Sequence, residues 1–281
     1  MANTSVSSGN VFIDAKDLFF EVFEKEVVRD EEVDNWFLIN APWTVFTTVA
    51  LYLIFVMKVG PDFMKDRTPY KLKSIMLVYN LTQVFYNAFL LYWFFFTPGA
   101  LSYLYNHSCH PLSRQEEPFL SLELNKGSWF YFFSKVIDLL DTVFFILRKK
   151  NSQVSLLHVY HHANMVITTW IQLRFYKGQE GLLAGLLNVF IHVIMYSYYF
   201  LAALGPHMQK YLWWKKYLTL MQITQFLMIL TWYVGLFSFQ CDFPKTYIIY
   251  LSFNVCLFLY LFTMFYFKAY DKDEKAKVKT G

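Results

Sequence analysis

Apolar runs of membrane-crossing length, most of them carrying one stripe of polar residues, set the pattern along this chain. Seven runs lie at about 43–57, 74–97, 128–147, 155–173, 181–204, 217–239 and 246–267. Each comes near the roughly 20 residues a helix needs to cross the hydrocarbon of a bilayer. The pattern predicts an all-α polytopic membrane protein with seven transmembrane helices. It divides the chain into a segment 1–42, a seven-span domain 43–267 and a tail 268–281. In five consecutive runs the polar positions recur every three or four residues, which keeps them on one helical face. The second run has Asn80, Gln83 and Asn87, the third Lys135, Asp138 and Asp141, and the fourth His158, His161 and His162. The fifth aligns Asn188, His192, Met195, Tyr196 and Tyr199, and the sixth Thr219, Gln222 and Gln225.

Composition agrees: 56% of the 281 residues are hydrophobic and 21% aromatic, more apolar matter than a soluble domain of this size holds. Charge then orients the chain, because Lys and Arg flanking the spans are retained in the cytosol. With the N-terminus outside, the inside loops carry Lys58, Lys65, Arg67, Lys71 and Lys73, then Arg148, Lys149 and Lys150, then Lys210, Lys215 and Lys216, then the lysine-rich tail. The first 40 residues lack a signal peptide's basic start and apolar core, so the first span is expected to insert uncleaved. Residues 14–32 fit either an amphipathic helix on the outer face or a solvated charged segment.

Cys109 and Cys241 fall in outer loops, where an oxidising lumen favours a disulfide over two free thiols; Cys256 lies within the last span. Asn3 and Asn106 head lumenal glycosylation sequons. The tail is disordered by composition, and Lys277 and Lys279 resemble a dilysine retrieval signal for the endoplasmic reticulum. No nucleotide-binding glycine loop occurs, and no nucleic-acid partner is implied.

Counted from the cytosolic ends at about 1.5 Å per residue, Asp141 and His161 lie about 9–11 Å deep, Gln222 and Gln225 about 8–12 Å and His192 about 18 Å. The stripes therefore converge in the cytosolic half, with nearly apolar helix beyond them. That layout suits an amphiphile with a soluble head and a long hydrocarbon tail. Polar residues can instead bind membrane helices together, but three histidines in five residues beside two carboxylates argue for chemistry. A histidine box also raises a metal-dependent membrane lipid enzyme as an alternative. Seven histidines, three of them in loops, are too few for a di-iron site, while one zinc stays open. A lipid receptor or transporter fits less well, since the polar half faces the cytosol and the other half is apolar.

KVIDLLDT resembles the K-x-x-E-x-x-D-T motif, HVYHH the H-x-x-H-H box, NVFIHVIMYSYY the N-x-x-x-H-x-x-M-Y-x-Y-Y motif and TLMQITQ the T-x-x-Q-x-x-Q motif of the ELO family of very-long-chain fatty acid elongases. Asp138 stands where that family usually has Glu; it keeps the charge and shortens the reach by one methylene. The resemblance implies a condensing enzyme of the endoplasmic reticulum membrane, a very-long-chain 3-oxoacyl-CoA synthase joining long-chain acyl-CoA and malonyl-CoA. It implies helices two to seven in an inverted barrel around a narrow tunnel, with the first helix, whose polarity is only Thr44, Thr47 and Thr48, peripheral. It also implies reductase and dehydratase partners, homo- or hetero-oligomers, and no cofactor beyond the CoA thioesters.

The residues allow that chemistry. The only cysteine in a span, Cys256, lies outside every motif, so an imidazole must accept the acyl group or acyl-CoA must be attacked directly. Decarboxylation of malonyl-CoA makes the carbon nucleophile, and its enolate oxygen needs donors such as Asn188 or a second histidine. His161 or His192 is then the acyl-bearing or acid/base imidazole, with His158 and His162 orienting or donating. Asp138 and Asp141 are expected to fix histidine tautomers as triad carboxylates do, and Lys135 to balance them. Tyr196, Tyr199, Gln222 and Gln225 are substrate-binding candidates. Arg148, Lys149, Lys150, Lys215 and Lys216 either receive CoA phosphates or serve topology alone.

Overall fold

The computed structural model describes residues 22–177 and 181–271. The retrieval signal at Lys277 and Lys279, the sequon at Asn3 and the start of the N-terminal segment lie outside the described residues. Eight helices carry the fold: α1 (Pro42–Met64), α2 (Lys73–Phe96), α3 (Pro118–Asp138), α4 (Leu140–Leu147), α5 (Leu156–Phe175), α6 (Leu182–Leu204), α7 (Lys215–Ser238) and α8 (Lys245–Tyr266). Short helices include Glu31–Asp34 ahead of α1 and Ala100–Asn106 between α2 and α3. No strand occurs among the described residues.

Local chemistry sets several boundaries. Pro42 and Pro118 occupy first turns, where the missing N–H costs nothing. Ser155 caps α5 by accepting from the His158 amide at 3.2 Å, which fixes the start of the histidine-bearing helix. α6 stops at Gly205, whose φ of 133° suits glycine. Lys73 Nζ then donates to the Leu204 carbonyl at 2.8 Å, a cation at the negative end of a helix.

Five of the seven expected spans are long and apolar enough to cross a membrane: Pro42–Met64, Lys73–Phe96, Leu182–Leu204, Lys215–Ser238 and Lys245–Tyr270. The expected spans 128–147 and 155–173 are not among them. Their polarity is the reason: the first is cut by a turn at Leu139 between Asp138 and Asp141, and the second opens on three histidines. The helix α3 also begins earlier than expected, running through Glu123 and Lys126, which pair at 2.7 Å.

α2 packs along α6, α7 along α8, and α3 along α5, with α5 also touching α1 and α8. Outward faces are greasy: Phe85, Tyr92 and Phe95 on α2, Val234 on α7, Phe253 and Tyr260 on α8 are all exposed, as lipid contact requires. α1 is more than an appendage. It passes through a π-helical turn at Phe55–Val59, and a Cβ on Gly60 would meet the Phe55 carbonyl oxygen at 2.9 Å and Ile146 of α4 at 3.0 Å. One turn earlier, the buried Tyr52 hydroxyl lies 2.8 Å from Thr142 Oγ1 on α4.

The basic loops share one end of the bundle, where Lys149 Nζ donates to the Lys65 carbonyl at 3.0 Å and the Tyr70 amide to Leu147 at 3.0 Å. The opposite end carries the expected disulfide, Cys109–Cys241, with Cα atoms 4.7 Å apart. Beside it His110 Nδ1 lies 2.6 Å from Asp242 Oδ2. Residues 22–40 strap across this same end. The Val28 amide donates to Phe175 at 2.8 Å, and the indoles of Trp129 and Trp170 donate to the carbonyls of Phe37 (3.0 Å) and Leu38 (3.1 Å). Asp34 pairs with Lys177 at 2.5 Å and Arg174 at 2.6 Å, and Asp30 with Arg114 at 2.6 Å. Burial pulls the Asp30 carboxyl upward, but the Arg114 guanidinium and the amides of Val33 and Glu32 outweigh it and hold the group below its ordinary range.

Candidate active site

At the end of α3, Lys135 and Asp138 face the same way one turn apart and pair at 3.2 Å, each side chain only 2% exposed. Burial of that kind is tolerable only when every charge and lone pair finds a partner. Asp138 finds several. Its Oδ1 accepts from Gln83 Nε2 of α2 at 2.5 Å and from the Tyr196 hydroxyl of α6 at 2.9 Å, while Oδ2 faces Lys135.

Leu139 forms the turn between α3 and α4, its amide reaching Val136 at 3.3 Å. Two residues later Asp141 is also buried, and its Oδ2 lies 2.8 Å from the same Tyr196 hydroxyl. One phenol therefore touches two carboxyl groups. His192, one turn before Tyr196 on α6, brings Nδ1 to 3.4 Å from Lys135 Nζ. The ring of Tyr131, one turn before Lys135, lies 4.8 Å beneath the same ammonium.

The box on α5 is aromatic-packed. His158 and His162 have ring centroids 4.2 Å apart, His161 lies 5.7 Å from His162 and 4.8 Å from Phe258 of α8, and His158 lies 5.2 Å from Phe145. His158 Nε2 and His161 Nδ1 are buried with no hydrogen-bond partner in the protein. A buried imidazole nitrogen left open in this way is available to a ligand or a water. Among the described residues no three His, Cys, Asp or Glu side chains converge in an arrangement that could hold a metal ion.

The sequence-derived site residues thus fall into four groups. Lys135, Asp138, Asp141, His192 and Tyr196 form one hydrogen-bonded cluster. His158, His161 and His162 form an adjoining wall, with Tyr199 next to Tyr196 at 5.9 Å, Gln222 Nε2 3.7 Å from Met195 Sδ, and Gln225 buried. Asn188 Oδ1 accepts from the Tyr131 hydroxyl at 3.0 Å. Arg148, Lys149, Lys150, Lys215 and Lys216 instead lie on the basic end; Lys150 and Lys215 are exposed, and Lys216 Nζ sits 5.8 Å from the Tyr266 ring.

One expectation about roles changes. Asp138 Oδ2 is 3.6 Å from His192 Nδ1, too far to fix its tautomer by a hydrogen bond, and Asp141 bonds to a phenol rather than to an imidazole. Lys135 is the nearer partner of His192. Gln83 and Tyr131 were not among the expected site residues. Their signal was present in the spacing: Gln83 belongs to the stripe on α2, and Tyr131 precedes Lys135 by four residues.

Beyond the Tyr131–Asn188 pair, toward the disulfide end, lies a cavity of about 60 Å³. Trp93, Gly127, Tyr131, Leu173, Gly185 and Val189 are among its walls. The lining is mostly apolar, and Tyr131 belongs to both compartments. Added Cβ atoms at Gly127 and Gly185 would meet Trp93 at 3.6 Å and Tyr131 at 3.8 Å, so these glycines keep two ring faces open to the space.

A paired ammonium and carboxylate, a shared phenol, open imidazole nitrogens and an apolar pocket behind them can hold an acyl group and move protons around it. Comparisons with known proteins agree. The ELO family model, described as the GNS1/SUR4 family, matches residues 37–278. Very long chain fatty acid elongase 4 of Homo sapiens is 40% identical over 250 residues, covering 89% of this chain and 78% of that protein. Elongase 7 of Rattus norvegicus is 39% identical over 249 residues, covering 88% and 87%, and elongase 7 of Drosophila melanogaster is 37% identical over 258 residues, covering 90% and 77%.

Proposed function

Because the chain belongs to the ELO (GNS1/SUR4) family and is a very long chain fatty acid elongase, we propose that the buried cluster around Asp138 is where its condensation takes place. The reaction is that of a 3-oxoacyl-CoA synthase: acyl-CoA and malonyl-CoA give 3-oxoacyl-CoA, CoA and carbon dioxide. His161 accepts the acyl group from CoA, and decarboxylation of malonyl-CoA supplies the enolate that attacks it. His192 and Asn188 act as donors to developing negative charge. The observation that carries this reading is the open nitrogen of His161 in a wall adjoining the Lys135–Asp138–Tyr196–Asp141 network.

Seven spans are the topology this reading supports, with α3–α4 and α5 crossing despite their polarity because that polarity faces the bundle interior. The acyl tail runs past Tyr131 into the apolar cavity, and Arg148, Lys149, Lys150, Lys215 and Lys216 at the basic end take the CoA phosphates. The disulfide end then faces the lumen of the endoplasmic reticulum and the basic end the cytosol, where a reductase and a dehydratase take over the product. Purified protein should release carbon dioxide from malonyl-CoA only when acyl-CoA is present, and His161→Ala should abolish this while the protein still folds. Near-normal turnover in that variant would sink the assignment.

A further inference from the structure

Hydrogen bookkeeping around Tyr196 fixes how many protons the site holds. A phenol carries one hydrogen, yet the Tyr196 oxygen lies 2.9 Å from Asp138 Oδ1 and 2.8 Å from Asp141 Oδ2. If both carboxyl groups were anions, one of these contacts would set lone pair against lone pair in a fully buried place. The second contact needs a second hydrogen, and only a carboxylic acid can supply it. Asp138 already accepts from Gln83, and Lys135 balances its charge. Asp141 makes no ion pair among the described residues; its partners are hydroxyls, those of Tyr196 and Tyr79. The proton therefore resides on Asp141, and the two carboxyl groups together carry one negative charge against one ammonium.

We propose that this proton is the one the condensation consumes, drawn from Asp141 through Tyr196, Asp138 and Lys135 to His192. The proposal rests on the covalent reading above. The geometry gives each link: Asp141 to Tyr196, Tyr196 to Asp138, Asp138 to Lys135 at 3.2 Å, and Lys135 to His192 Nδ1 at 3.4 Å. An ammonium only donates, so His192 Nδ1 accepts and its ring hydrogen sits on Nε2. The groups facing this chain from the neighbouring elements include Tyr52 on α1, Tyr79 and Tyr86 on α2, Tyr131 on α3, Tyr199 on α6 and the three histidines of α5.

The step balances. His161 attacks the thioester carbonyl; the new C–N bond forms, the C–S bond breaks and its electron pair goes to sulfur. The thiolate takes the Nε2 hydrogen of His192, whose Nδ1 takes one from Lys135. Tyr196 takes the Asp141 hydrogen and passes its own to Asp138 Oδ1, and a half-turn of that carboxyl presents the hydrogen to Lys135. The products are CoA thiol, an acyl-imidazolium carrying one positive charge, and an ionised Asp141. Proton supply thus leaves a counter-charge in the buried site where the cation has formed, so no lone charge is left buried. Malonyl-CoA then loses carbon dioxide, the enolate takes the acyl group, neutral His161 is regenerated, and Asp141 recovers a proton from the cytosolic side.

The test is the release of CoA thiol when acyl-CoA is mixed with enzyme before malonyl-CoA, in wild type, Tyr196→Phe and Asp141→Asn. Tyr196→Phe keeps the ring and both carboxyl groups, so it separates relay from shape. With acyl-CoA the burst should slow by about 100-fold or more in both variants, the range general acids supply. With an acyl 4-nitrothiophenyl ester, whose thiolate leaves without protonation, the loss in both variants should be at least about tenfold smaller. Equal losses with both esters overturn the proton pathway and leave the carboxyl groups a shaping role. A wild type that releases no thiol until malonyl-CoA arrives removes the covalent reading instead, so the two failures are distinguishable.

Discussion

At the residue scale, Asp138 is the position on which most partners converge, receiving Gln83, Tyr196 and Lys135 from three helices. Asp138→Asn removes the counter-charge of a buried ammonium, a change that typically costs 3–5 kcal/mol. Carbon dioxide release should fall by at least about 100-fold and the thermal midpoint should drop. Asp138→Glu keeps the charge and adds one methylene, so a displaced Gln83 can restore the contacts; its activity should stay within about tenfold of wild type. The same assay decides both. The Lys135–Asp138–Asp141 stripe was legible from its period of three, because a helix alone puts such residues on one face. Which group each carboxylate would choose was not legible. Gln83 and Tyr196 come from other helices, and a triad analogy favoured histidine where the packing brings a phenol and an amide.

At the scale of elements, the same polarity that marks α3 and α5 in the sequence removes them from the set of plainly apolar spans. Their periodicity marks the polar face that mean hydropathy averages away, because one face can carry polar groups while the rest meets apolar neighbours. The early start of α3 at Pro118 could not be read from hydropathy, since Glu123 and Lys126 satisfy each other within the helix. The peripheral character expected of α1 is only half the picture, given Tyr52 against Thr142 and Gly60 against Ile146. α6 yields a prediction about the cavity. Gly185→Leu should fill the space beside Tyr131 and shorten the longest product by at least one two-carbon cycle, measured by chromatography of acyl products. Gly185→Ala meets Tyr131 only at ordinary contact, 3.8 Å, and should leave the product spectrum unchanged. An unchanged spectrum in Gly185→Leu would separate the cavity from the acyl tail.

At the scale of the whole molecule, the two ends differ in kind: basic loops at one, and a disulfide with a strapped segment at the other. Removing the bridge by Cys109→Ser frees a loop whose ends are 132 residues apart, for which chain entropy gives about 4–5 kcal/mol. Thermal stability should fall while condensation by the folded fraction persists, because the proposed catalytic groups lie away from that end. The strap should respond to acid. Asp30 is held below its ordinary pKa of 3.8 in the fold, so its contribution is fully present above that value and is lost as pH falls through the lowered one. Proteolysis at residues 22–40 should therefore accelerate below about pH 4, and Arg114→Ala should bring the same cleavage at neutral pH. Cleavage that ignores both changes would show the ion pairs to be incidental.

The position of the bridge in the chain also imposes an order on biosynthesis. Cys109 precedes α3 and Cys241 follows α7, so five helices lie within the covalent loop. The thiols cannot meet until the ribosome has delivered all five and the membrane has received them. α8, the last to arrive, packs on α7 and α5 and supplies Phe258 beside His161. A nascent chain halted before residue 241 holds every motif of the proposed site, yet it has neither the lock that fixes its far end nor the ring that closes the histidine wall.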